Sequence, residues 1–177
     1  AYLLPGMNGD TSVQVDAFVD IAADLKIDTK NMAGGSITED FDNDGYLDLF
    51  TTSWDLEEDV HYYKNNVDGT FTDITEQAGL TGITGGLNCI QTDYNNDGYM
   101  DILILRGAWK GQYGMEPNSL LRNNGDNTFT DVTSEAGLLS FHPTQTATWN
   151  DLNNDGWVDV FIGNEHSNQG GDGQRQE

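Results

Sequence analysis

Apolar positions along this chain fall in short alternating runs, each closed by a cluster of Asp, Asn and Gly. Residues 46–52, 99–105 and 157–162 are rich in aromatic and β-branched side chains, and a shorter run precedes each of them, at 36–39, 89–92 and 147–150. Runs of this length bounded by turn residues predict strands, and the loop between each pair predicts a hairpin. Residues 61–64 and 119–122 predict a third strand. An Asn/Asp/Gly turn then leads into Thr-Phe-Thr-Asp, whose period-two alternation predicts a fourth. Only residues 74–80 and 132–138 have the composition of a helical turn. About four strands per unit of roughly 50–60 residues predicts an all-β chain built from antiparallel β-propeller blades.

The periodicity is measurable in the sequence. The segment Asn65-Asn66-Val-Asp68-Gly69-Thr-Phe71-Thr-Asp73-Ile-Thr75 recurs as Asn123-Asn124-Gly-Asp126-Asn127-Thr-Phe129-Thr-Asp131-Val-Thr133, with a weaker copy at Phe18-Val-Asp20-Ile-Ala22. Phe18 to Asp40, Phe71 to Asp93 and Phe129 to Asp151 are each 22 residues apart. The three phenylalanines are separated by 53 and 58 residues, as are the three aspartates, so five extra residues enter the second unit. They fall within 107–117, where an insertion reads as a surface loop.

The hairpin loops carry the chemistry. They read Asp40-Phe-Asp42-Asn-Asp44-Gly45-Tyr46-Leu-Asp48, Asp93-Tyr-Asn95-Asn-Asp97-Gly98-Tyr99-Met-Asp101 and Asp151-Leu-Asn153-Asn-Asp155-Gly156-Trp157-Val-Asp159. Each puts oxygen-bearing side chains at loop positions 1, 3, 5 and 9, with glycine at 6. Alternate side chains of a tight loop converge, glycine permits the left-handed turn that closes it, and hard oxygen ligands at this spacing suit Ca²⁺. Mg²⁺ is disfavoured, because it keeps its water and takes few carboxylates. An EF-hand is excluded: position 12 is Thr51, Ile104 or Ile162 instead of Glu, and strands, not helices, follow. Four converging oxygens repeated three times would repel without a cation, which argues against plain Asp/Asn turns.

Charge narrows the partners. Seven Lys and Arg face 30 Asp and Glu, for a net charge of −23. Nucleic acid and anionic membrane surfaces need a basic footprint that this chain lacks. Ten of the acidic residues lie in the three loops, and about three Ca²⁺ would take −23 to −17. No stretch is apolar enough for membrane insertion, and the first residues lack the basic flank of a signal peptide. The one cysteine, Cys89, sits in an apolar run and reads as a buried hydrophobe.

The loops and the Asn-Asn-x-Asp-Gly-Thr-Phe-Thr-Asp-x-Thr segments resemble the FG-GAP/VCBS repeat family, calcium-bearing propeller blades also found in integrin α-subunits. The Gly-Thr-Phe-Thr-Asp-Ile-Thr-x-x-Ala-Gly-Leu phrase at 69–80 is similar to the bacterial branch that accompanies ASPIC/UnbV domains. The resemblance covers residues 18–165 and implies calcium ligands at Asp40, Asp42, Asp44 and Asp48; at Asp93, Asn95, Asp97 and Asp101; and at Asp151, Asn153, Asp155 and Asp159. It also implies a backbone carbonyl ligand at position 7, which is Tyr46, Tyr99 and Trp157. The Phe-Gly and Gly-Ala-Pro signatures and any Arg-Gly-Asp are absent, so the resemblance does not extend to integrin-type adhesion.

The expected organisation is an N-terminal segment with an outer strand at 1–33, blades at 34–84 and 85–140, and a partial blade with a polar tail at 141–177. Propellers close with about 4–8 blades, so further blades from a longer chain or from another copy are expected. Phe41, Phe71, Phe129 and Trp149 recur at repeat positions and are expected in the core. Residues 106–117, with Arg106, Trp109, Lys110 and Tyr113, form the candidate partner surface, for protein or carbohydrate. His61, His142 and His166 share no metal spacing, and there is no nucleophile elbow or phosphate loop, so no catalytic or cofactor-binding residues are expected. Millimolar calcium outside cells would fill even sites of about 10⁻⁴–10⁻³ M affinity, which favours an extracellular or cell-surface setting. The rival readings are a propeller enzyme acting on polysaccharide and a surface-layer or filament subunit.

Overall fold

The computed structural model describes residues 17–28, 34–107 and 116–164. Among these, ten strands and one short helix form. The helix, α1 (Ala22–Leu25), is a single turn. A first sheet runs β1 (Ser36–Glu39), β2 (Asp48–Thr51), β3 (His61–Asn65), β4 (Phe71–Asp73). A second repeats it as β5 (Asn88–Thr92), β6 (Asp101–Leu105), β7 (Ser119–Asn123), β8 (Phe129–Asp131), and a third holds β9 (Thr144–Asn150) and β10 (Asp159–Asn164). Every strand pairs antiparallel with its sequence neighbour. The fold is thus all-β, with two four-stranded blades and two strands of a third among the described residues: part of a propeller. The strands after the acidic loops begin at position 9 of each loop, two residues later than the apolar pattern predicts, because the residues at 7 and 8 still belong to the loop.

The core lies between the sheets. Phe41, Phe50 and Tyr62 of the first blade meet Ile102, Ile104, Leu121 and Phe129 of the second. Phe129 stands edge-on to Phe41 at 5.9 Å and to Tyr62 at 5.7 Å between ring centroids, a favoured aromatic geometry. Leu103, Leu105 and Leu120 turn to the opposite face, where Trp149 and Val160 of the third sheet cover them. This two-sided cover explains why β6 is buried throughout and apolar from Ile102 to Leu105, while β2 alternates. The first strands of successive sheets, β1, β5 and β9, lie against one another. Gly35 permits the first of these approaches: a Cβ there would stand 2.6 Å from the Cys89 amide nitrogen. Cys89 is buried, as its apolar surroundings predict, and burial pushes its thiol up to about 12.

Several expectations change. Phe71 is only half-buried and stands outside both core clusters, and the one helix among the described residues forms at Ala22–Leu25 instead of over 74–80 or 132–138. No strand forms over 17–21, and Phe18 is fully exposed: among the described residues no strand pairs with this segment. The segment nonetheless keeps the local geometry of its repeat. Asp20 Oδ1 accepts from the Ala22 N–H at 3.0 Å, as Asp73 Oδ1 does from Thr75 and Asp131 Oδ1 from Thr133. Arg106 is not a partner-surface residue. Its guanidinium is buried, donating to Ser119 Oγ (2.8 Å) and Glu116 Oε2 (2.9 Å). Trp109, Lys110 and Tyr113 lie outside the described residues.

Candidate metal centre

All three acidic loops fold around the same clamp. The carboxylate at position 1 accepts from two backbone amides: Asp40 from Asp44 (2.9 Å) and Gly45 (2.8 Å), Asp93 from Asp97 (3.0 Å) and Gly98 (2.8 Å), Asp151 from Asp155 (3.1 Å) and Gly156 (2.9 Å). The carboxylate at position 5 then takes the N–H at position 7, with Tyr46, Tyr99 and Trp157 each donating at 2.9 Å. Glycine at position 6 has a φ near +90° in each loop. Position 4 is left-handed as well: Asn43, Asn96 and Asn154 have φ of 59°, 57° and 60°. The sequence reading assigned that turn to glycine alone. Asn tolerates the left-handed region better than other residues bearing a Cβ, which was the available signal.

The first loop gathers three carboxylates. Oxygen atoms of Asp40, Asp42 and Asp44 lie within 4.8 Å of one another. Asp42 is nine-tenths buried, and its Oδ1 has no hydrogen-bond partner. An orphaned buried carboxylate oxygen among hard oxygen donors fits a divalent cation such as Ca²⁺. In the second and third loops position 3 is an amide. Asn95 Nδ2 donates to Asp97 Oδ2 at 2.8 Å, and Asn153 Oδ1 accepts from the Asp155 N–H at 2.9 Å.

The aspartate at position 9 ties each loop to the blade, and in the first loop Asp48 stands outside the group formed by Asp40, Asp42 and Asp44. Asp48 Oδ1 accepts from the Asn65 N–H and Asp101 Oδ1 from the Asn123 N–H, each at 2.8 Å. Asp101 Oδ2 accepts from Tyr94 N–H (3.0 Å) and Asp159 Oδ2 from Leu152 N–H (2.9 Å), whereas Asp48 Oδ2 takes the buried Tyr62 hydroxyl (3.0 Å). Burial raises the Asp48 carboxyl against these donors. Burial likewise pushes Asp101 up to about 6, with the nearby Asp97 and Asp93 charges adding to it.

Lys64, on β3, reaches into the first loop, paired with Asp42 and with Asp44 Oδ2 at 3.0 Å. Its hydrogen bond and that of the Tyr46 N–H hold the Asp44 carboxyl below the usual range. Neither Lys64 nor Asn65 and Asn123 stands out in the sequence as part of the site, because each looks like the edge of a turn motif. Away from the loops, His61 Nδ1 pairs with Asp73 Oδ2 at 2.8 Å beside a groove of about 450 Å³, lined by Asp59, Thr75, Glu76, Gln77 and Thr81. No Lys or Arg lines that groove.

The sequence profile of the FG-GAP-like repeat matches the chain twice, over residues 40–104 and 93–162. No curated protein matches it. Each match begins on the first aspartate of an acidic loop and runs into the strand after the next one, so the loops, sheets and profile mark the same repeat. The chain belongs to the FG-GAP-like repeat family.

Proposed function

We propose that this chain is a calcium-binding β-propeller module of an extracellular or cell-surface protein, with a structural or binding role rather than a catalytic one. The observation that carries the reading is the clamp repeated in all three loops, joined in the first by the orphaned Asp42 oxygen. Bound Ca²⁺ would neutralise the converging carboxylates. The chain's own part is to present them preformed, through the backbone amides of positions 5 to 7, and to anchor each loop through the aspartate at position 9. Calorimetric titration tests this: about three Ca²⁺ per chain are expected, and no uptake contradicts it.

The third sheet supports a further blade of the same repeat type as partner. Leu152 and Phe161 are 64% and 63% exposed, whereas their repeat equivalents in the first blade, Phe41 and Phe50, are 1% and 0% exposed under the second blade. A second copy would cover the same face in a filament or surface layer. Sedimentation separates the two sources. Self-association lost in Phe161→Glu assigns the blade to another copy, and a monomer assigns it to the same longer chain. Beyond His61, the His61–Asp73 groove offers the polysaccharide-enzyme reading no Lys, Arg or Tyr side chain.

A further inference from the structure

The first loop differs from the other two at position 3, where it has Asp42 in place of Asn95 and Asn153. It therefore carries four aspartates where they carry three. It also differs in what satisfies the carboxylate at position 5. In the second loop Asp97 Oδ2 receives the side-chain amide of Asn95 at 2.8 Å. In the first, the equivalent oxygen, Asp44 Oδ2, receives the Lys64 ammonium at 3.0 Å, and the same ammonium pairs with Asp42. Lys64 thus supplies the hydrogen bond that Asn95 donates in the second loop, and its charge offsets the extra carboxylate that Asp42 brings to the first. The repeat equivalent of Lys64 is Arg122, which makes no ion pair with the second loop among the described residues.

We propose that Lys64 is the tethered counter-cation of the first acidic loop, holding Asp42 and Asp44 together without metal and yielding them when a divalent cation enters. This rests on the calcium reading above. It makes Lys64 the residue that sets the metal affinity of the first loop apart from the other two. The ammonium and a metal ion compete for the same oxygens. Asp42 Oδ1, which Lys64 leaves unsatisfied, is then the oxygen a metal gains without displacing anything.

The test uses Lys64→Met, which keeps most of the aliphatic stem, with Lys64→Arg as the charge-preserving variant and Arg122→Met as the equivalent change in the second blade. In EDTA, Lys64→Met should melt below wild type, and Asp42→Asn in that background should recover the loss by recreating the second loop's arrangement. In Ca²⁺ calorimetry one site of Lys64→Met should tighten about fivefold or more, as expected for removing an ion pair worth about 1 kcal/mol. Lys64→Arg and Arg122→Met should leave that site near wild type. Equal EDTA melting temperatures and equal calcium affinities in wild type and Lys64→Met would overturn the proposal and leave the calcium reading standing. So would a weaker site in Lys64→Met. Absence of calcium uptake by wild type overturns the reading on which the proposal rests.

Discussion

Asn123 crosses the interface between the first two blades: its Nδ2 donates to the carbonyl of Phe41 at 2.7 Å, from a fully buried position. Phe41 is the second residue of the first acidic loop, and the Asn123 backbone N–H holds Asp101, the ninth residue of the second. One side chain thus joins two loops on neighbouring blades. A second link runs from Asn43 Nδ2 to the Gly98 carbonyl at 3.1 Å. Truncating a buried donor leaves its acceptor unsatisfied, at about 1–3 kcal/mol. Asn123→Ala should cost that much in urea unfolding, and the exposed Asn124→Ala less than about 0.5 kcal/mol. Equal effects would mean that the Phe41 contact carries no weight.

The inter-blade core makes a graded prediction. Phe129 is buried among Phe41, Phe50 and Tyr62, so Phe129→Ala should cost about 3–5 kcal/mol. Phe161, at the equivalent of Phe50, should tolerate Ala within about 0.5 kcal/mol in the isolated chain. Urea midpoints of the two variants check this directly. A large cost at Phe161 would show its face to be covered in solution.

Val67 holds a φ of +64°, which a β-branched residue adopts only under strain. Its repeat equivalent, Gly125, has a φ of +75°, and both N–H groups donate at 2.9 Å to the asparagine two residues back. Glycine at 67 removes the strain at some entropic cost. Val67→Gly should raise stability by about 0.5–1 kcal/mol, read as a higher melting temperature. A lower one would mean that the entropic cost of glycine outweighs the backbone strain of Val67.

Asp101 gives a pH dependence in the metal-free protein. Its folded value of about 6 lies above the ordinary 3.8, so the fold favours the neutral carboxyl. The stability it contributes is full below about pH 4 and lost as pH rises through about 6, an effect on the order of 1–3 kcal/mol. In EDTA, wild type should lose that much relative to Asp101→Asn between pH 4 and 7. On the proposed calcium reading, in which Asp101 is a ligand, millimolar Ca²⁺ should reverse the trend, because a metal ligand must be ionised. A flat difference in EDTA would contradict the burial of this carboxylate.

Much of this was legible in the sequence because the repeat states it three times. Strand placement followed from the alternation, the blades from the spacing of Phe71 and Phe129, and the acidic loops from their aspartates. The misjudged features depend on neighbours that local pattern does not encode. Arg106 reads as an exposed cation until Glu116 and Ser119 turn it inward. Residues 17–21 match the repeat yet form no strand, because pairing requires a partner that sequence similarity does not supply. Lys64 and Asn123 act across tertiary distances, from β3 to a loop 20 residues earlier and from one blade to the next.

The central claim, that the acidic loops are calcium sites, is tested most directly by thermal unfolding in EDTA, in millimolar Mg²⁺ and in millimolar Ca²⁺. An ion bound only by the folded chain stabilises it by mass action, at about 2.7 kcal/mol for each site held at a hundred times its dissociation constant. A large rise in melting temperature with Ca²⁺, and little with Mg²⁺, is the predicted result. No shift with Ca²⁺, or an equal shift with Mg²⁺, would contradict it and reduce the three loops to turns.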